Sequence, residues 1–272
     1  MEQTRKMKRN IFKFSRKTFS YPYMLFLLIF VVVPLVLILI NAFLVEGDEG
    51  KVLSLDNFVS FFSDSSGLTV LLNSLIIGFV TTVICLLLGY PVAYLLAKYH
   101  AGNKFLVLLF VLPMWVNFLI RTLSTKAIFI ALNIDLGMMT VLFGMVYNYL
   151  PFMILPLHTT ITNIDKGYTE AAQDLGADGV NVFLRTVLPL SVPGILSGIT
   201  MVFIPTISTF AISELLSNRQ IFLFGDSIQT KFSQNMYGVG SVMSLVMLVL
   251  VLISNFLLER FNKDSNAGRN IW

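Results

Sequence analysis

Six stretches of this chain run for roughly a membrane thickness without a single Asp, Glu, Lys or Arg: Tyr23–Leu44, Leu68–Ala97, Phe105–Ile120, Leu136–Leu157, Pro193–Ser213 and Tyr237–Leu258. A helix rises about 1.5 Å per residue, so about 20 apolar residues cross the hydrocarbon layer. In lipid every backbone donor and acceptor must be satisfied within the segment, which selects helix for each stretch. The expected architecture is an all-α membrane protein with six transmembrane helices. Phe105–Ile120 is short by this measure and extends past Arg121 towards Ser124. Ala127–Ile134 is apolar but too short to cross, and reads as a broken or interfacial continuation between the third and fourth spans. Only 12% of residues are charged and the mean hydropathy is +0.80. A soluble domain carries about 25% charged residues, so too little polar material is available to cover a soluble surface.

Charge placement sets the expected orientation. Of the 19 Lys and Arg, seven lie between Arg5 and Lys17, ahead of the first apolar stretch. With that tail inside, the cytoplasmic side also holds Lys98, Lys104, Lys166, Arg185, Arg260, Lys263 and Arg269. The outer side keeps Lys51, Arg121, Lys126, Arg219 and Lys231, and its first loop is acidic. The positive-inside bias therefore predicts that both termini are cytoplasmic. The chain divides into a basic tail at 1–19, a membrane domain at 20–262 with a cytoplasmic loop at 158–190, and a short tail at 263–272. The tail needs only anionic lipid as its partner, and the net charge of +4 is no argument for nucleic acid. Tyr23–Val45 reads as a retained helix and not as a cleaved signal. The lone Cys85 has no internal disulfide partner.

All nine prolines lie inside or at the ends of apolar stretches. An interior proline removes a backbone hydrogen bond and kinks its helix. Kinked helices are what a cavity between spans needs.

The loop between the fourth and fifth spans is far longer than the ~2–8 residues of a simple helix connection. Thr169–Leu175 favours helix, Gly176 is a natural stop, and Asp178 can cap a second helix running to Leu188. Two short surface helices with a tight turn are expected. Within them Glu170-Ala171-Ala172, Gly176 and Leu188-Pro189 stand in the register of the EAA signature of ABC-importer permeases. Thr186 stands where that signature has an aliphatic residue. Leu112–Thr122, Tyr149–Leu157 and Phe222–Phe232 resemble the spermidine/putrescine permeases of PotB type. The likeness runs from about Tyr21 to Arg260 and departs between Arg121 and Met138, where this chain is shorter.

The resemblance implies the MetI-like fold of type I importers in a bacterial cytoplasmic (inner) membrane. It also implies that Glu170, Ala171, Ala172, Asp174, Gly176, Leu188 and Pro189 contact an ATPase. The implied partners are a second permease (PotC-like), two ATPase subunits (PotA-like) that bind ATP and Mg, and an extracytoplasmic substrate-binding protein (PotD-like). This chain contains no GxxxxGK[ST] phosphate loop, so it is expected to bind no cofactor.

Polar and aromatic residues in apolar spans are path candidates. Trp115, Asn117, Tyr147, Phe210 and Glu214 suit a polycation, through oxygens and cation–π faces. An enzyme is disfavoured: the only histidines are His100 and His158, and no spacing resembles a metal site. Sulfate, ferric iron and thiamine are alternative solutes within the same superfamily. An ATP-independent secondary transporter is the alternative of another class, which would have no use for the long loop.

Overall fold

A computed structural model describes residues 20–47, 50–99 and 104–267 of the 272. The basic tail at 1–19 and His100 lie outside the described residues. Helix α1 (20–43) opens the chain and is exposed along almost its full length, which suits lipid or a partner helix. It widens into a π-helical turn at Leu28–Val32, where the Val33 N–H donates to the Leu28 carbonyl five residues back. Pro34 follows at once. Proline clashes with the carbonyl four residues before it, and the wider turn relieves that clash. The same device recurs ahead of Pro189, where the turn at Phe183–Val187 ends with Leu188 N–H on the Phe183 carbonyl.

Two short strands, β1 (Leu44–Gly47) and β2 (Gly50–Leu53), pair antiparallel and lead to helix α2 (Asp56–Ser63). Asn57 Nδ2 ties this cap to the first span, donating to the carbonyls of Ala42 at 3.1 Å and Leu44 at 2.9 Å. The hairpin was not expected from the sequence, because its residues carry no alternation of apolar and polar side chains.

Helix α3 (Ser65–Tyr99) is the second span. The third is split into α4 (Lys104–Trp115) and α5 (Phe118–Ala131), which meet at 91°. The expected segment Phe105–Ile120 is thus not one helix. Its break falls at Val116–Asn117, just after Pro113, and Asn117 caps the new helix through the Leu119 N–H at 2.9 Å. The segment Ala127–Ile134 is accordingly the continuation of a broken span, helical to Ala131.

Helix α6 (Met138–Thr162) carries the fourth span, so the loop begins after Thr162 and not at His158. Helices α7 (Lys166–Asp174) and α8 (Gly179–Leu190) follow, and α8 meets α9 (Val192–Ser208) at 62°. The fifth span ends at Ser208, earlier than the expected Ser213. Residues Thr209 and Phe210 break it, and α10 (Ala211–Leu216) starts anew. After α11 (Phe224–Ser233), α12 (Tyr237–Ala267) forms the last span and extends into the segment read as a tail. Among the described residues four helices are long and apolar enough to cross a membrane, and counting each bent pair as one span brings the number to six.

Helices α3, α6 and α9 form the centre of the bundle. Close approach there depends on glycine: a Cβ on Gly194 would sit 2.6 Å from Thr160 Oγ1 and 3.1 Å from the Pro156 carbonyl. Small residues let helix backbones approach in lipid, where packing replaces the hydrophobic effect as the driving force.

Candidate functional site

Residues 163–190 project from one end of the bundle as two helices joined by a tight turn. Asp165 caps α7 through the Gly167 N–H at 2.9 Å, and Asp178 caps α8 through the Asn181 N–H at 2.8 Å. Each aspartate satisfies one of the donors that a helix start leaves free. At the other end of α7, Gly176 adopts φ +83°. Its N–H donates to the Gln173 carbonyl at 2.8 Å, and the Ala177 N–H reaches back to the Ala172 carbonyl at 3.0 Å. That pair of bonds is a Schellman closure, in which the residue after the cap must be left-handed and glycine bears no Cβ penalty.

The loop's expected contact residues separate by exposure. Glu170, Ala171, Asp174, Gly176 and Pro189 face outward, while Ala172 and Leu188 are half-buried against the central core. The outward face also carries apolar side chains with nothing of this chain to cover them. Leu175 is 89% exposed, and Tyr168, Val180 and Leu184 are more than half exposed. Thr186, at the position where an aliphatic residue was expected, is half-buried, and Val187 beside it is buried.

The loop is pinned to the second span. Tyr90 OH lies 2.7 Å from Ser191 Oγ, and Ser191 Oγ donates to the Leu188 carbonyl at 2.8 Å, so the tyrosine supplies the proton of the first bond. Ser191 is the residue at which α8 bends into α9. The Phe183 ring stands edge-on to Tyr90 and Tyr94 at 5.7 and 5.1 Å. Between loop and bundle lies a cavity of about 290 Å³ bordered by Tyr94, Ile161, Gln173 and Val187. The loop is thus joined to the second span by one buried hydrogen bond and two aromatic contacts, beside the apolar packing of Val182 and Val187. None of Tyr90, Phe183 or Ser191 was picked out from the sequence. The Pro189-x-Ser191-x-Pro193 spacing was the available signal that a bend sits there.

The path candidates are scattered. Trp115 is 79% exposed on the last turn of α4, and Asn117 is occupied as the cap of α5. Tyr147 faces a groove of about 880 Å³, and its ring lies 5.4 Å from the Arg121 guanidinium. Arg121 is buried, and its Nη1 donates to the Pro113 carbonyl at 2.8 Å, across the bend of the third span. One side chain thus holds the broken span closed and occupies the face of Tyr147. Phe210 sits in the break of the fifth span, half exposed, and Glu214 is ion-paired with Arg219 at 2.8 Å. Phe210 immediately precedes α10, which carries Glu214, and Trp115 and Asn117 flank the break of the third span.

A buried carboxylate near Phe210 and Glu214, Asp226 at the start of α11, was also missed, because in the sequence it stands in the connection between the fifth and sixth spans, where a charged residue is ordinarily solvated. Its Oδ2 accepts from Ser213 Oγ at 2.5 Å and from the Leu223 N–H at 2.7 Å. Burial pushes its carboxyl up to about 6.

The chain is similar to known proteins. The family described as the binding-protein-dependent transport system inner membrane component matches residues 11–266. The spermidine/putrescine transport system permease protein PotB of Haemophilus influenzae is 35% identical over 263 residues, covering 88% of this chain and 91% of that protein. The fold is similar to that of a bacterial alginate ABC transporter solved with an alginate pentasaccharide-bound periplasmic protein, at TM-score 0.69 and 16% identity over 91% of this chain and 94% of that one. It is also similar to the inward-facing MetNI methionine ABC transporter, at TM-score 0.58 and 17% identity over 73% of this chain and 95% of that one. With the family match spanning nearly the whole sequence, and with six spans and a structured loop between the fourth and fifth, the chain belongs to the inner membrane components of binding-protein-dependent transport systems.

Proposed function

We propose that this chain is the permease subunit of an ATP-driven importer of polyamines such as spermidine and putrescine. The observation that carries the reading is the 163–190 loop. It is ordered by two aspartate caps and a glycine closure, it presents uncovered apolar side chains, and it is fastened to the spans through Tyr90 and Ser191. A rigid projection of that kind suits a docking surface for a motor subunit. The substrate class rests on the permeases this chain resembles along its length.

In this reading the loop end faces the cytoplasm, where Glu170, Ala171, Asp174, Gly176 and Leu175 meet an ATPase subunit. ATP and Mg bind there, and this chain supplies no catalytic group. Closure of two ATPase subunits displaces the loop, and the bend at Ser191 transmits the displacement to the fifth span. The broken third and fifth spans, with Trp115, Asn117, Phe210 and Glu214 at their breaks and beyond, and Tyr147 on the fourth span line a path shared with a second permease. Substrate enters from an external binding protein. Alternating access then follows from one end of the path opening as the other closes.

The test is uptake of labelled spermidine and putrescine in cells lacking and then regaining the gene, with sulfate, thiamine and ferric iron as competitors. Restored uptake, competed only by polyamines, is expected. Restoration of uptake of one of the other solutes, with polyamine uptake unchanged, would discard the substrate and keep the permease.

A further inference from the structure

Among the described residues two charged side chains are buried, Arg121 and Asp226. Arg121 donates to the Pro113 carbonyl and lies over the Tyr147 ring, which accounts for its charge, although its Nε is also buried without an acceptor. Asp226 is explained only in part. It is 5% exposed, Oδ2 takes both hydrogen bonds, and Oδ1 is buried with no donor. A carboxylate offers about four acceptor positions, and leaving a buried one unfilled is costly. An asparagine would accept the same two bonds through its amide oxygen without burying a charge. Packing therefore accounts for the shape of this side chain and not for its charge.

Its position is distinctive. Ser213 belongs to α10, which begins immediately after the break in the fifth span. Gly225 is seated on the carbonyls of Ser208 and Thr209, at that same break, where no Cβ would fit. The Phe224 N–H donates to Ser74 Oγ of the second span at 2.7 Å. The carboxylate thus stands where α3, α9, α10 and α11 converge, at the end of the bundle opposite the loop. The charged group that reaches it from a neighbouring element is Glu214 on α10, itself held by Arg219. From α3 comes the Ser74 hydroxyl and from the α9 end the two carbonyls, none of them charged.

Resting on the polyamine reading, we propose that Asp226 is a binding residue for a protonated amine of the substrate. Ser213 Oγ and the Leu223 N–H are the donors that occupy it in the closed arrangement. Separation of α10 from α11 exposes Oδ1 to an alkylammonium, whose three N–H donors suit a carboxylate with an unfilled oxygen. No proton is transferred: the substrate's amines remain cationic, as the lysine amine does below about pH 10. In the closed arrangement the Asp226 carboxyl is raised by burial and by Glu214.

The experiment uses the whole importer, permeases with ATPase and saturating binding protein, in proteoliposomes. It measures spermidine uptake and ATP hydrolysis against the pH on the binding-protein side. At about pH 7.5, Asp226→Asn should lower uptake per ATP hydrolysed by about 10- to 100-fold, the worth of one hydrogen bond to a charged group. Asp226→Glu should recover part of the loss, and Ser213→Ala, which keeps the charge, should not reproduce it. Wild-type uptake per ATP should fall once the pH is low enough to neutralise the exposed carboxylate, whereas Asp226→Asn should be flat. Wild-type uptake per ATP in Asp226→Asn, or a parallel loss of uptake and hydrolysis, overturns the proposal. If Asp226→Asn does not assemble, Asp226→Ser is measured in its place, and wild-type uptake per ATP in that variant overturns the proposal. Absence of polyamine uptake by the wild type is a separate result, and it refutes the substrate reading.

Discussion

The turn at Gly176 gives the sharpest test of the loop. Its φ of +83° lies in the left-handed region, and a Cβ built there meets nothing within 4 Å. Substitution therefore introduces backbone strain without a clash, so the effect should follow left-handed propensity and not side-chain size. Alanine in this conformation costs about 1–2 kcal/mol, asparagine less, and a β-branched residue more. Each 1–2 kcal/mol lowers the population of a native arrangement relative to its alternatives by about 5- to 30-fold. An ATPase that binds only the native turn loses affinity by the same fraction once the turn is a minority. The assay titrates ATPase subunit onto the permease pair in nanodiscs, then measures uptake per ATP hydrolysed in the assembled complex. The expected order of affinity is Gly176, then Gly176→Asn close behind, Gly176→Ala weakened by about fivefold, and Gly176→Val by about 30-fold. A valine variant that docks and couples like the wild type would refute the argument that this closure shapes the docking surface. An order that follows side-chain bulk, with asparagine as damaging as valine, would refute the backbone argument in favour of a steric one.

Other perturbations read other parts of the same device. Tyr90→Phe removes the bond to Ser191 while leaving both aromatic contacts, so hydrolysis should persist while uptake per ATP falls several-fold; equal ratios would show that the bond transmits nothing. Asp178→Ala removes the cap of α8 and should cost the loop about 1 kcal/mol, read as faster amide exchange at Gly179–Val182 with the spans unaffected. Gly194→Leu should destabilise the α6–α9 contact by at least the ~1–3 kcal/mol of an overpacked core, because the nearest atoms include the Pro156 backbone, which cannot yield; its readout is the thermal stability of the detergent-solubilised chain, and an unchanged melting temperature would count against that close approach.

The loop was legible because its determinants are local. Gly176 and Asp178 act on donors and acceptors within three residues of themselves, so spacing alone places two helices with a turn between them; the Asp165 cap, equally local, was not picked out. The six spans were legible for a related reason: an uncharged run of ~20 residues has its backbone satisfied in lipid only as helix, whatever surrounds it. Hydropathy is silent about continuity, however. Phe105–Ile120 is equally apolar whether straight or bent by 91° at Asn117, and the bend is held by Arg121 reaching the Pro113 carbonyl on the preceding helix. The early end of the fifth span at Ser208 escapes for the same reason.

The functional groups divide along the same line. Glu170, Ala171, Ala172 and Gly176 could be placed on their helix and turn from the sequence, because helix and turn are nearest-neighbour structures. The bond from Tyr90 to Ser191 spans 101 residues, and the one from Phe224 to Ser74 spans 150. Asp226 is an ordinary polar residue in its own segment and becomes a buried carboxylate only when α3, α9 and α10 close around it. Hydropathy and capping are properties of a segment, and they settle which helices form and which end carries the loop. Burial and pairing are properties of what folds against the segment. Only the assembled bundle decides where the spans break, which charges leave water and how the loop is fastened to the path.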